Sequence, residues 1–431
     1  MISESVGVNA KGNMTFGNAD CVELATQFGT PLYVFNEAHI RKNCREFKTS
    51  IDEYYGGNGM TMYASKAFSC KEMYRIIAEE GLGCDVVSGG ELYTALSVGF
   101  EPKNILFHGN NKTLDELQYA LKSGVGHIIV DNATELLNIE KIASEFGIKA
   151  NIMLRIKPGV DCHTHHYIRT GQIDSKFGFA LENGEAMDIA LKAVEYEHIN
   201  LCGFDCHIGS QIFETEPFCD AAVIMLNFMN EFRKKSGITV GELDLGGGFG
   251  VKYVENDGAL PFKVFIEKVS EALKKASAEM QYPMPKIYIE PGRSIVGEAG
   301  LTLYKVGAVK TIKDVRTYVA IDGGMTDNPR YALYQAEYDI EIANKYNQPK
   351  EFVGTVAGKC CESGDLIQEN APMQTPEVGD IMAVLTTGAY NYSMASNYNR
   401  LCRPAAVMVN NGEPRVIIKR ETYEDLIKND I

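Results

Sequence analysis

The sequence predicts an α/β protein: a TIM-like (β/α)8 barrel joined to a β-sheet, barrel-like domain built from both chain ends. Three observations carry that expectation. Short β-rich runs alternate with helical patterns eight times, the first four runs start 22 residues apart, and beyond about Gly300 the pattern turns to strand after strand. Strands joined by helical crossovers run parallel, and eight of them close a barrel of this kind. A doubly wound open sheet is the competing architecture for the same alternation.

The evenly spaced runs begin near Thr61 (TMYASKA), Gly83 (GCDVVSG), Ile105 (ILFHG) and His127 (HIIVDN). Three of the helices that follow open with capping-box spacing, Ser88 to Glu91, Thr113 to Glu116 and Asn132 to Glu135. The first side chain accepts from an orphan helical N–H and the glutamate returns the bond. The helix after the first strand instead starts near Ser69, with Met73, Ile76 and Ile77 on one face, and Leu114, Leu117 and Leu121 do the same in the third. The alternation continues with strands at 151–157, 201–208, 242–247 and 286–290, and with long helical stretches at 217–235 and 262–280.

Past Gly300, LTLYKVGAVKTI, TYVAIDGG, DIMAVLTT and AAVMVNNGEPRVIIK read as strands, and Asn410, Asn411 and Gly412 mark a hairpin turn. PLYVFN at 31–36 adds a strand to the same unit. The expected division is a barrel over 37–300 and a β domain made of 1–36 plus 301–431.

Composition narrows the function. The 431 residues exceed one ordinary core. A formal net charge of −15 argues against sequence-independent nucleic-acid binding, which needs a basic surface. No leader pattern is expected at the N-terminus, and no apolar run approaches the ~20 residues that span a bilayer. Eleven scattered cysteines, an odd number, fit reduced thiols in a cytoplasmic protein better than a disulfide framework.

Chemistry-bearing residues gather where barrel strands end, the face on which such barrels place their sites. Lys66 ends the first strand. It reads either as a structural ion pair or as a Schiff-base lysine whose burial keeps its amine nucleophilic. Gly246, Gly247 and Gly248 end the seventh strand and let backbone amides approach an anion, or serve turn geometry only. Glu290 ends the eighth, and Arg293 follows a Pro-Gly turn where phosphate commonly binds; a Glu290–Arg293 ion pair is the plainer alternative. His207 and Ser210 follow the sixth strand, the histidine placed to face a ring or to be a satisfied core residue. The CHTHH run at 162–166 matches no standard zinc spacing, so no metal is expected.

Together these motifs resemble the pyridoxal-5'-phosphate (PLP) dependent decarboxylases that pair an alanine-racemase-like barrel with a β domain, above all the branch acting on diaminopimelate. The matches run in order through YASKA, CDVVSGGEL, FHGNNKT, CHIGSQ, GGGFG, EPGRSIV, CCESGD and GAYNYSMASNYN, covering about residues 60–405. The resemblance implies that Lys66 binds the cofactor, that His207 stacks on its ring, and that Glu290 faces its pyridine nitrogen. Ser210, Gly247, Gly292 and Arg293 would hold the phosphate end, with Tyr390 close to cofactor and substrate. It further implies that Cys361 helps protonate Cα and that Glu362 reads the distal amino group. Arg293, Arg330, Tyr334 and Tyr390 would bind the rest of a small amino-acid substrate. That substrate is meso-2,6-diaminopimelate, decarboxylated to L-lysine and CO2 as the last step of lysine biosynthesis.

Family members are homodimers with shared sites, which would bring Cys361 and Glu362 from the partner. Decarboxylases of ornithine, arginine or carboxynorspermidine, a racemase, and a non-enzymatic regulator remain the alternatives. The sequence departs from the family pattern at Asp205, His166 and Arg169, which bear on local charge.

Overall fold

In the computed structural model, which describes residues 2–160 and 175–431, the chain forms two compact units. One comprises Cys44–Gly250 and Ala259–Gly292; the other comprises Met1–Asn43, Val251–Gly258 and Arg293–Ile431.

The first unit is a closed parallel barrel. Its eight strands are Gly59–Ala64, Gly83–Val86, Ile105–Phe107, His127–Val130, Ala150–Lys157, Ile199–Asp205, Glu242–Asp244 and Lys286–Ile289. Each pairs in parallel with the next, and the last returns to the first through Ile287–Gly59 to Ile289–Thr61. Both faces of a strand are covered in such a barrel, so the strands are short apolar runs without strict alternation. Met62, Leu106, Ile129, Met153 and Tyr288 fill part of its interior.

The expected caps form, one in full and two with a variation. Thr113 and Glu116 make the full reciprocal box. Ser88 accepts from the Glu91 N–H, but Glu91 bonds the Val87 N–H instead of that of Ser88. Asn132 accepts from the Glu135 N–H, while the Glu135 carboxylate turns to Lys112 at 2.7 Å. Lys112 is buried and also donates to the carbonyls of Gly109 and Ile129, at 2.8 and 2.7 Å. A buried ammonium with all three donors used ties the third and fourth strands together. Lys112→Met is expected to strand the Glu135 charge and to cost about 3–5 kcal/mol, read as a lower urea midpoint.

The second unit is built on a nine-stranded sheet. Leu32–Asn36 lies at its centre, antiparallel to Gly300–Ile312 and parallel to Ala405–Asn410. The hairpin Ala405–Asn410 to Glu413–Ile418 turns at Asn411 and Gly412, both with positive φ as a tight two-residue turn demands. Strands Arg316–Ile321, Ile340–Ile342, Phe352–Ala357, Leu366–Met373 and Ile381–Val384 complete the sheet, and three very short strands near the N-terminus form a second one. Met14, Phe16, Leu24, Leu32, Leu301, Leu303 and Val407 share one apolar cluster in this unit.

Candidate active site

At the C-terminal ends of the barrel strands, acids and bases converge. Lys66 lies in a single 3-10 turn, Ser65–Ala67, directly after the first strand. Its side chain is exposed, which corrects the expectation that burial activates it. Gly292 accounts for how tightly this turn packs: a Cβ there would lie 2.8 Å from the Ala64 Cβ.

Asp85, Asp205, Asp244 and Glu290 are each at most 6% exposed, an unusual density of carboxyls in one barrel mouth. They belong to the second, sixth, seventh and eighth strands or their ends. Glu290 Oε1 and His108 Nε2 lie 2.6 Å apart but out of hydrogen-bond alignment. Among the described residues, neither oxygen of Asp205 has a hydrogen-bond partner, and the Arg155 Nε lies 3.8 Å away. Arg155 in turn lies over the Phe177 ring at 4.5 Å.

Crowding and desolvation act on these groups together. Burial, reinforced by the charge of Glu290, pushes Asp85 up to about 7. Burial raises Asp205 to about 6, with His108 and Arg155 pulling back. Burial likewise raises Asp244 and Glu290, and it lowers His108 to about 4. So many carboxyls cannot all carry charge at neutral pH without a cationic partner.

His207 is half-buried, and its Nδ1 accepts from the Gly247 N–H at 3.2 Å. The hydrogen therefore sits on Nε2 of a neutral ring, in line with a basicity depressed first by burial and then by Lys66 and Arg155. The Gly246 N–H is committed to Asp244 Oδ1 at 2.8 Å. Two of the three glycine amides thus serve side chains. Gly247 has a second reason to be glycine: a Cβ there would lie 2.2 Å from the Glu290 carbonyl oxygen. Gly247→Ala is expected to push the Glu290 backbone aside, costing about 1–3 kcal/mol, read as a lower melting temperature.

In the other unit, two arginines are buried among tyrosines. Arg293 Nη1 donates to the Tyr253 hydroxyl at 2.6 Å and lies over the Tyr390 ring at 4.7 Å. Arg330 Nη1 donates to the Tyr338 hydroxyl at 3.0 Å and lies over the Tyr253 ring at 4.5 Å. Burial opposes the charge of Arg330, but the surrounding tyrosines raise its basicity above the ordinary value. Tyr390 adopts φ 68°, a left-handed backbone that costs energy for a side chain of its size. Tyr334 ends the short helix Arg330–Tyr334 and is half-buried.

Cys361 and Glu362 are exposed on a loop that buried Asp365 organises. Its carboxylate accepts from the Cys360 and Met325 N–H groups, both at 2.6 Å. The Cys361 N–H donates to Asn399 Oδ1 at 2.7 Å.

Residues 37–297 match the family described as pyridoxal-dependent decarboxylase, pyridoxal binding domain. Over 98% of its length the chain is 48% identical to the diaminopimelate decarboxylase of Bacillus subtilis, covering 96% of that protein. The chain belongs to the diaminopimelate decarboxylase family. The Staphylococcus aureus member is 44% identical, with 99% of both chains covered. The crystal structure of the M. jannaschii diaminopimelate decarboxylase in complex with L-lysine superposes with a TM-score of 0.91 at 35% identity, covering all of this chain and 98% of that one.

The family's cofactor is PLP, and the barrel mouth fits it on its own terms. Buried, unsatisfied atoms of Glu290, Asp205 and Asp244 call for a cationic hydrogen-bond donor such as a protonated pyridine nitrogen. The exposed Lys66 amine, the neutral His207 ring and the close-packed glycines complete a donor set for an aldehyde, a ring and a phosphate. The sequence reading anticipated Lys66, His207 and Glu290 here but missed Asp85, His108, Arg155 and Asp244, as well as Tyr253 and Tyr338 in the other unit. A readable signal existed for three of these: Asp85, Arg155 and Asp244 interrupt apolar strands at or near their C-terminal ends. The CHTHH run and Arg169 lie outside the described residues.

Proposed function

We propose that this chain removes one carboxylate of meso-2,6-diaminopimelate to give L-lysine and CO2, with PLP held on Lys66. The observation that carries the substrate is Arg330. It is a permanent cation, 6% exposed, whose neighbours among the described residues are tyrosine hydroxyls and rings. A buried guanidinium without a carboxylate beside it asks for one from a ligand. The distal carboxylate of diaminopimelate supplies it; ornithine has none.

PLP supplies, when bound, a ring that accepts the electron pair left on Cα as CO2 departs. Each side chain then has a defined task. Lys66 provides the amine that takes the cofactor's aldehyde. Glu290 holds a proton at the pyridine nitrogen, a charged hydrogen bond worth ~1.5–3 kcal/mol. His207, oriented by the Gly247 amide, covers the ring, while Ser210, Gly247, Gly292 and Arg293 serve the phosphate end. Arg293, Arg330, Tyr334 and Tyr390 orient the substrate. Cys361 delivers a proton to Cα, and Glu362 pairs with the distal ammonium.

The barrel region, read from sequence as 37–300, is the cofactor-binding domain, and 1–36 with 301–431 form the substrate-reading one. The working form is a cytoplasmic homodimer in which Cys361 and Glu362 serve the partner's site; their exposure supports this. Mixing Lys66→Ala and Cys361→Ala chains should then restore part of the activity that neither has alone.

CO2 release from meso-diaminopimelate, ornithine and arginine, with and without PLP, tests the reading. The expected result is PLP-dependent release, with kcat/KM for diaminopimelate at least about 10²-fold above ornithine, because an unmatched buried arginine penalises the wrong substrate. Release from ornithine alone would overturn it.

A further inference from the structure

We propose that the opposite, N-terminal mouth of the barrel carries a divalent-metal site made by His127, Cys202 and Glu242, suited to zinc. The sequence gives no hint of it, since the three residues lie on the fourth, sixth and seventh strands, far apart in the chain. In the fold, one ligand atom from each comes within 4.8 Å of the others. The pairing is closest between His127 Nε2 and Glu242 Oε2, at 2.8 Å.

Two features of the backbone build this convergence. The sixth strand is bulged against the fifth: Leu201 pairs with Ile152 and Gly203 with Met153, leaving Cys202 unpaired between them. A bulge re-aims a side chain that a regular strand would place elsewhere. The next residue, Gly203, permits the sixth and seventh strands to close up at this level, because a Cβ there would lie 1.9 Å from the Glu242 carbonyl oxygen. The bulge and the glycine together bring the Cys202 thiol to the histidine–carboxylate pair. Glu242 Oε2 is buried beside the His127 ring and, among the described residues, has no aligned hydrogen-bond partner.

The ligand chemistry selects the ion. One imidazole, one thiolate and one carboxylate with an outer position open to solvent match the N/S/O donor set of four-coordinate zinc, water being the fourth ligand. Calcium and magnesium, which take oxygen donors, are disfavoured by the sulfur. The thiolate and carboxylate together neutralise a divalent ion. Around the three ligands lie Lys286, whose Nζ bonds the Tyr288 hydroxyl at 2.9 Å, and Asn200, whose amide reaches the Cys202 sulfur at 3.3 Å. Among the described residues, Lys286 is the cationic side chain besides His127 that acts on the Glu242 carboxylate. A thiol binds such an ion only as the thiolate, so binding follows protein–SH + M2+ → protein–S–M+ + H+, releasing one proton per ion.

The site lies at the barrel end remote from Lys66 and does not depend on the proposed reaction. The test uses the PLP-loaded enzyme, stripped with a chelator and titrated with Co2+ as a spectroscopic probe and then with Zn2+ against a chromogenic chelator. The expected result is one ion per chain and a thiolate-to-cobalt charge-transfer band. Cys202→Ser should lose the band, and it and His127→Gln should each lower zinc affinity by more than the ~10–100-fold typical of an outer-shell partner. CO2 release by Cys202→Ser should match the parent. The band separates this site from the sulfur-free cluster of His108, Asp205, Asp244 and Glu290, which also converges closely. Should a variant fold poorly, alkylation of Cys202 in the parent chain, mapped by mass spectrometry, must slow on adding zinc. No stoichiometric zinc, a band that survives Cys202→Ser, or zinc-independent alkylation of Cys202 each overturns the proposal.

Discussion

Lys66→Ala is expected to lower the rate of CO2 release from meso-diaminopimelate by more than about 10³-fold and to abolish the visible imine absorbance of the purified enzyme. The size follows from losing the cofactor tether, since a single positioned catalytic side chain is typically worth ~10²–10⁴-fold. The side chain is exposed on a one-turn helix, so its truncation opens no cavity. Stability should stay within about 0.5 kcal/mol of the parent, as for other surface substitutions. In the proposed site other residues hold the phosphate end, so the variant is expected to take up PLP without the covalent link. A small added amine should recover a fraction of the rate by forming the imine that Lys66 no longer supplies. Parallel melts and rate measurements separate this outcome from simple misfolding.

Arg330→Met is the second large effect, and its signature is selectivity. Methionine keeps much of the side chain's volume and contact with Tyr253 and Tyr338 while removing the charge. The kcat/KM for diaminopimelate should fall by about 10–150-fold, the equivalent of a charged hydrogen bond worth ~1.5–3 kcal/mol. Activity on a substrate lacking the distal carboxylate, such as ornithine, should be unchanged or rise. If the loss falls equally on both substrates, Arg330 holds the fold and not the ligand. The buried surroundings make this control necessary, since Arg330 also donates to the Tyr338 hydroxyl, which in turn donates to Asn328.

Much of the architecture is legible in the sequence, because each barrel strand is a short apolar run between turn and cap signals. The Thr113–Glu116 box is local and forms as read. At Glu135 the local rule yields to a tertiary one: burying Lys112 requires a counter-charge, and that outweighs a second bond at an exposed helix end. The small N-terminal sheet is not legible, since strands such as Val6–Val8 and Met14–Phe16 contain too few residues for any periodicity. The strand Leu366–Met373 escapes notice because its polar residues and Pro372 resemble a loop, although proline is tolerated at a sheet edge.

The site divides along similar lines. Lys66 and Glu290 stand out as charges ending apolar strands. The cluster of acids does not, because Asp85, Asp205 and Asp244 become neighbours only when the barrel closes. Asp205 illustrates the consequence. At the sequence level it is a departure from the family pattern; in the fold it is a fully buried carboxyl whose protonation is tied to Glu290, His108 and Arg155. The arginine pair likewise depends on Tyr253 and Tyr338, whose part in the site no motif announces.

In the proposed mechanism one amine, that of Lys66, carries the cofactor. Borohydride reduction of the PLP-loaded enzyme, followed by digestion and peptide mapping, tests it most directly. The expected result is a single pyridoxyl label, on the peptide containing Lys66, with loss of CO2 release in proportion to labelling. A label on any other lysine, or full activity after stoichiometric reduction, would contradict it.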